Sequence, residues 1–131
     1  MIAKQISVFL ENKNGHLADV TEILSDRNIN ISALSVADTK DYGMIRMILD
    51  QPEQAVSVLK ENGISAHLTD VINIRIPDVP GALHKILKYL SQAEISVSYM
   101  YGYSNNQIAH MIIRVDNVNK AEELLKEHHI Q

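Results

Sequence analysis

Asn12 and Gly15 stand three positions apart in LENKNGHL (Leu10 to Leu17), and Asp78 and Gly81 repeat that spacing in IPDVPGAL (Ile76 to Leu83). In each stretch an apolar alternation gives way to a helical pattern, so the polar residue and the glycine sit where a strand hands the chain to a helix. The first N–H groups of a helix lack intrahelical acceptors, and the helix dipole makes that end partly positive, so a carboxylate is welcome there. Glycine lets such an anion approach the backbone closely, while the oxygen of an asparagine or aspartate nearby can accept from an ammonium group. Together they offer a grip on both ends of a zwitterion. The commoner use of the same residues is plainer: Asn12 and Asp78 cap the helix, and the glycines make the turn.

Other side chains could add to this chemistry. Tyr99, Tyr101 and Tyr103 alternate along an apolar run, and period two puts all three on one sheet face unless a bulge intervenes. They form either an aromatic wall, with Tyr99 and Tyr101 against a ligand side chain, or a packing stripe. His16 lies in the first turn within reach of a ligand, whereas His84 reads as a solvated helix residue and His110 as a sheet-face residue. Arg46 and Arg114 fall two positions out of register between the halves, so no symmetric anion clamp is implied. Lys85 and Lys88 read as a wet helix face. His128 and His129 are adjacent, diverge on a helix and have no accompanying ligand spacing, so no metal is expected.

With 131 residues, 46% hydrophobic and 21% charged, the chain has an ordinary globular balance. Twelve Lys and Arg against sixteen Asp and Glu give a net charge of −4 without a block of like charge. That disfavours nucleic acid and a membrane surface as partners. There is no cysteine, no basic-then-apolar leader and no apolar run of the roughly 18 residues a membrane span requires. A soluble cytoplasmic protein is expected, without a cofactor.

The elements that must position these residues come in two copies. An offset of 66 aligns Ile6 with Ile72, Gly15 with Gly81, Leu24 with Leu90, Ser32 with Ser98, Asp50 with Asp116 and Ala55 with Ala121. One register held from end to end marks an internal repeat, here residues 1–68 and 69–131. In the first copy Ile6, Val8 and Leu10 alternate as a strand, and Leu17, Val20 and Leu24 follow at helical spacing. The runs from Ile29 and from Gly43, separated by DTKDY, predict a hairpin. Pro52 opens a second helix that Asn62 and Gly63 stop, and Ile64 to Leu68 supply a last strand. The second copy repeats the order, with only Ile130 and Gln131 left for its last strand. Each copy is thus βαββαβ, which folds most simply as a split βαβ sandwich. The expected class is α+β: two ferredoxin-like units side by side, forming a continuous antiparallel eight-stranded sheet with the helices on one face.

Over nearly its whole length, twice, the chain resembles the ACT domain, a small ligand-binding module attached to many enzymes of amino-acid metabolism. LENKNGHLADVTEILSDRNINISAL is similar to the family's first strand, glycine turn, first helix and second strand, and IPDVPGALHKILKYLSQAEISVSYM matches again. Pro80 precedes the glycine as in many members, and Asn14 replaces it in the first copy. The resemblance implies that units pair edge to edge and bind amino acids between the turn of one and the second-strand start of its neighbour. It nominates two pseudo-symmetric sites. One joins Asn12, Asn14, Gly15, His16 and Leu17 to Ser96, Val97 and Ser98; the other joins Asp78, Pro80, Gly81, Ala82 and Leu83 to Asn30, Ile31 and Ser32. A serine-binding member has a histidine two residues before the turn asparagine, where this chain has Leu10, so the resemblance does not extend to serine. Asn12 and Asn30 match its ligand-contacting asparagines while Asp78 and Ser96 differ, and the two sites need not be equal.

The leading expectation is a free-standing amino-acid-binding regulatory protein with no chemistry of its own, a homodimer that acts on its own association or on an enzyme of amino-acid metabolism. A small ferredoxin-like hydrolase or isomerase is the alternative, though no Gly-x-Ser-x-Gly or evident Ser/His/Asp set supports it. A protein interaction module using the sheet face is a third reading. RNA is disfavoured by the acidity and by the lack of an RNA-recognition aromatic signature.

Overall fold

The computed structural model describes residues 1–11, 15–38 and 42–131. In chain order the elements are β1 (Ile2–Glu11), α1 (His16–Asp26), β2 (Ile31–Asp38), β3 (Tyr42–Leu49), α2 (Pro52–Glu61), β4 (Ser65–Pro77), α3 (Ala82–Gln92), β5 (Val97–Asn105), β6 (Ile108–Val115) and α4 (Val118–Glu127). Lys4–Thr69 forms one compact unit, and Asp70–Gln131 together with Met1–Ala3 forms the other.

In the first unit the strand order is β2-β3-β1-β4. β1 and β2 each run antiparallel to β3, with Val8 and Val36 both opposite Ile45. The period-two pattern does its expected work: Ile6, Val8, Ile45 and Met47 pack against Val20 and Leu24 of α1 and Ala55 and Leu59 of α2. Both helices therefore cover one face of these strands. In the second unit the order is β4-β6-β5. Ile72, Ile74 and Ile113 pack against Ile86, Leu90, Ala121 and Leu125, largely the same positions one repeat later.

The four helices among the described residues also end alike. The Ile29, Ile64, Ile95 and Ile130 N–H groups donate to the carbonyls of Leu24, Leu59, Leu90 and Leu125 at 2.9 to 3.0 Å. Just before each isoleucine the chain turns left-handed, with φ of 57° at Asn28, 74° at Gly63, 59° at Glu94 and 60° at His129. This six-to-one bond with its left-handed residue is the Schellman closure, and the Leu-x-x-x-x-Ile spacing supplies the apolar contact that seals it.

Six strands are found among the described residues where eight were expected. Two causes account for the difference. No glycine or proline separates Leu68 from Val71, so the predicted end of one copy and start of the next are a single 13-residue strand, β4. At the other end Ile130 and Gln131 form no strand. Instead the Arg75 N–H donates to the Gln131 carbonyl and the Asn73 N–H to the Met1 carbonyl, each at 2.7 Å. Met1 and Ile2 pack on the second unit's core, and the Ile2 N–H donates to Glu122 Oε2 at 3.3 Å. The first residues of the chain thus do edge duty for the unit that contains the last.

Candidate functional site

β1 and β4 deliver the chain to two glycines in the same conformation. Gly15 has φ 88° and ψ −11° at the N-cap of α1, and Gly81 has φ 91° and ψ −15° at the N-cap of α3. Such backbone is strained for any L side chain. A Cβ built at either glycine would meet no atom within 4 Å, so conformation, not crowding, demands glycine, and open space lies over both turns. Having no side chain, glycine at the N-cap supplies no acceptor to the first helical N–H groups. α4 shows the contrast: its N-cap Asn117 accepts from the Lys120 N–H through Oδ1 at 3.1 Å. At the second turn the Asp78 N–H donates to the Gln107 carbonyl at 2.9 Å and the Ala82 N–H to the Val79 carbonyl at 3.2 Å. Asp78, Pro80 and Gly81 are exposed, while Ala82 and Leu83 are half-buried. At the first turn His16 Nδ1 donates to the Glu11 carbonyl at 2.8 Å, which ties the helix start to the strand end. Leu17 is exposed. Asn12 and Asn14 lie outside the described residues.

The second-strand starts are also built alike. The pairing of β2 with β3 slips between Ile31 and Ala33, and that of β5 with β6 slips between Val97 and Tyr99, leaving Ser32 and Ser98 as matched bulges. The Ser32 hydroxyl donates to the Ile48 carbonyl at 3.1 Å. Just upstream, the Asn30 N–H donates to Asp50 Oδ1 at 3.0 Å and the Ser96 N–H to Asp116 Oδ1 at 3.1 Å. Bulges re-aim the backbone and are common beside functional sites. Asp50 and Asp116 stand out in the sequence as a repeat pair, yet nothing in their type or spacing announces that they anchor these segments.

Two grooves repeat with the same register. One of about 300 Å³ is lined by Thr21, Ser25, Asn28, Asn30 and Ile31 among others. Its counterpart, about 530 Å³, is lined by Leu87, Ser91, Glu94, Ser96 and Val97. Their sizes suit small ligands, whose sites typically span about 300 to 1,000 Å³. The linings differ in polarity, with Thr21 replaced by Leu87 and Asn28 by Glu94. Within one unit the glycine turn and the bulge sit at opposite ends of an 11-residue helix, about 16 Å long at 1.5 Å per residue. A single unit therefore does not bring the two halves of a nominated site together.

The tyrosines keep to one face because the bulge falls before Tyr99. Tyr103 stacks on His110 of β6 at 5.0 Å, and Tyr99 and Tyr101 are half-buried. His128 stacks on Tyr89 at 3.7 Å. Arg114 Nη1 donates to the Asp70 carbonyl at 2.7 Å, a strand tie within its unit.

Two α+β units, each with a left-handed glycine opening its first helix and a pinned bulge opening its next strand, define a duplicated ferredoxin-like module. The chain belongs to the ACT family: the family described as an ACT domain pair matches residues 1–131. A Bacteroides thetaiotaomicron protein of known crystal structure is similar at 46% identity and TM-score 0.96, over 100% of this chain and 91% of that one. The ligand-free regulatory subunit of aspartate kinase from Thermus thermophilus is similar at 18% identity and TM-score 0.73, over 98% and 95%. That from Thermus flavus is similar at 17% and 0.70, over 98% and 94%. The last two show likeness of fold alone. No curated protein matches the sequence.

Proposed function

We propose that this protein is a regulatory module that binds a free amino acid and carries out no chemistry of its own. The ligand carboxylate sits at a helix start opened by Gly15 or Gly81, with the Asp78 carboxylate at the second turn and the second-strand starts at Asn30 to Ser32 and at Ser96 to Ser98 as the groups proposed to meet its ammonium. The observation that carries this reading is the duplicated left-handed glycine at a helix N-cap, with open space above it. A helix start whose N-cap is a glycine, with no side-chain acceptor of its own, suits an anion. Membership of the ACT family supports a regulatory, amino-acid-binding role. The folds shared with regulatory subunits of aspartate kinase support an enzyme of amino-acid metabolism as the regulated partner. No described helix is long and apolar enough to cross a membrane. A sensor of free amino acids would work in the cytoplasm, where its ligand pool lies.

A thermal-shift panel of the common amino acids tests the reading, because a ligand bound only by the folded form stabilises it by about 3 kcal/mol at one hundred times its Kd and so raises the melting temperature. One amino acid should stand out, and Asp78→Ala or Asn30→Ala should weaken it about tenfold in calorimetry. A flat panel would overturn the function. A hit left untouched by both substitutions would overturn the site.

A further inference from the structure

The second unit carries basic groups where the first carries apolar ones. At an offset of 66, Arg75 stands at the position of Phe9 and His110 at that of Met44, while Lys126 repeats Lys60. Both units build the same core without a base at the first two positions, so packing does not call for one there. The fold nevertheless gathers all three. Arg75 of β4 is paired in register with His110 of β6. α4 ends in the left-handed turn at His129, with φ 60°, and the chain then folds back along β4, where the Arg75 N–H donates to the Gln131 carbonyl at 2.7 Å. Lys126, in the last turn of α4, lines the same groove.

This groove measures about 510 Å³ and is lined by Asn73, Arg75, His110 and Lys126, with Met1 and Ile130 as its apolar part. All of it belongs to the compact unit formed by Asp70–Gln131 with Met1–Ala3. No Asp or Glu side chain lines it, in a chain where acids outnumber Lys and Arg sixteen to twelve. Among the described residues the Arg75 guanidinium has no acceptor. Lys126 Nζ lies 3.5 Å from Glu122 Oε1 with its side chain 63% exposed, a loose contact that an anion can displace. Tyr103 stacks on the His110 ring at 5.0 Å and holds it in place.

We propose that this groove binds the phosphate group of a small phosphomonoester. A phosphate dianion presents enough acceptor oxygens to use the Arg75 fork, the Lys126 ammonium and the His110 imidazole at once. A carboxylate, with a single charge, is satisfied by the arginine alone. The phosphate fills only part of the groove, and Ile130 and Met1 leave an apolar wall for the body that it esterifies. The lining shares no residue with the proposed amino-acid site, so the two readings fail separately.

Calorimetry on the full chain tests it, with phenyl phosphate, inorganic phosphate and benzoate as probes. Phenyl phosphate should bind with a Kd of about 1 mM or below. Inorganic phosphate should bind about fivefold more weakly, lacking the apolar body, and benzoate about tenfold more weakly, lacking the second charge. Arg75→Gln and His110→Gln should each raise the Kd for phenyl phosphate about tenfold, and Lys126→Gln about threefold, since Glu122 already engages that ammonium. Arg75→Lys keeps the charge without the fork and should fall between. Lys60→Gln, at the repeat-equivalent position, should change nothing, and circular dichroism melts show whether each variant is folded. No saturable binding of phenyl phosphate up to about 20 mM overturns the inference. So does binding untouched by Arg75→Gln and Lys126→Gln, or benzoate held as tightly as phenyl phosphate. Inorganic phosphate held as tightly as the ester overturns the monoester as the ligand.

Discussion

Asn30 and Asp50 hold each other by a reciprocal pair of hydrogen bonds, the Asn30 N–H donating to Asp50 Oδ1 at 3.0 Å and the Asp50 N–H donating to the Asn30 carbonyl at 3.2 Å. Ser96 and Asp116 repeat the arrangement at 3.1 and 3.2 Å. Each aspartate directly follows the hairpin partner strand, β3 or β6, and fixes the entry into a bulged edge strand. Replacing Asp50 or Asp116 with alanine removes a charge-assisted bond at an exposed position, with an expected loss of about 1 kcal/mol in denaturant melts. If the bulge positions ligand contacts, Asp116→Ala or Asp50→Ala also weakens a confirmed ligand without touching it.

The two N-cap glycines predict a graded series. Gly81→Ala forces an alanine to a φ of 91°, at a cost of about 1 to 2 kcal/mol for an L residue in left-handed backbone. Gly81→Asn should cost less, since asparagine tolerates that region. Nothing crowds the position, so equal losses for alanine and asparagine in thermal melts would contradict the conformational explanation.

The helix ends predict the opposite sign. Glu94 and His129 hold φ of 59° and 60° where Gly63 stands in the matching closure of α2. Glu94→Gly and His129→Gly should each stabilise the chain by up to about 1 kcal/mol, a rise of a few degrees in melting temperature for a domain of this size. Gly63→Ala should lower it by a similar amount.

Gly102 is constrained for a different reason. A Cβ there would strike the His110 carbonyl oxygen, a backbone atom that cannot swing aside, and would lie 2.6 Å from Met111 Sδ. Gly102→Ala should cost about 1 to 3 kcal/mol by overpacking. Met111→Ala in the same chain should recover only part of that loss, because the carbonyl clash persists; full recovery in urea melts would assign the constraint to the sulfur alone.

The duplication, the class of each element and the buried leucines and isoleucines could be read directly from residue types, because burial imposes a period of two or of three to four that survives in the letters. Breaks in pattern were harder to place. Thr69 and Asp70 are polar, and polar residues between two apolar runs read as a boundary, yet both are compatible with extended backbone and β4 runs through them. The bulges at Ser32 and Ser98 left no mark, since a one-residue slip is a property of pairing with β3 and β6 and not of local composition. The glycine turns were legible as turns. Their left-handed φ and the absence of a side-chain cap were not, because the spacing of Asp78 to Gly81 fits a capped helix equally well. Nor did Leu-x-x-x-x-Ile advertise itself as a helix ending until four copies were seen closing the same way.

The membership of Met1–Ala3 in the unit that also holds Gln131 bears on how the protein can be handled. No single cut separates the halves cleanly: a fragment beginning at residue 70 would leave the Asn73 N–H without the Met1 carbonyl that now accepts from it. Such a fragment should be prone to clumping through that bare strand edge. An affinity tag fused ahead of Met1 would load the same seam, so purification handles belong elsewhere on the chain.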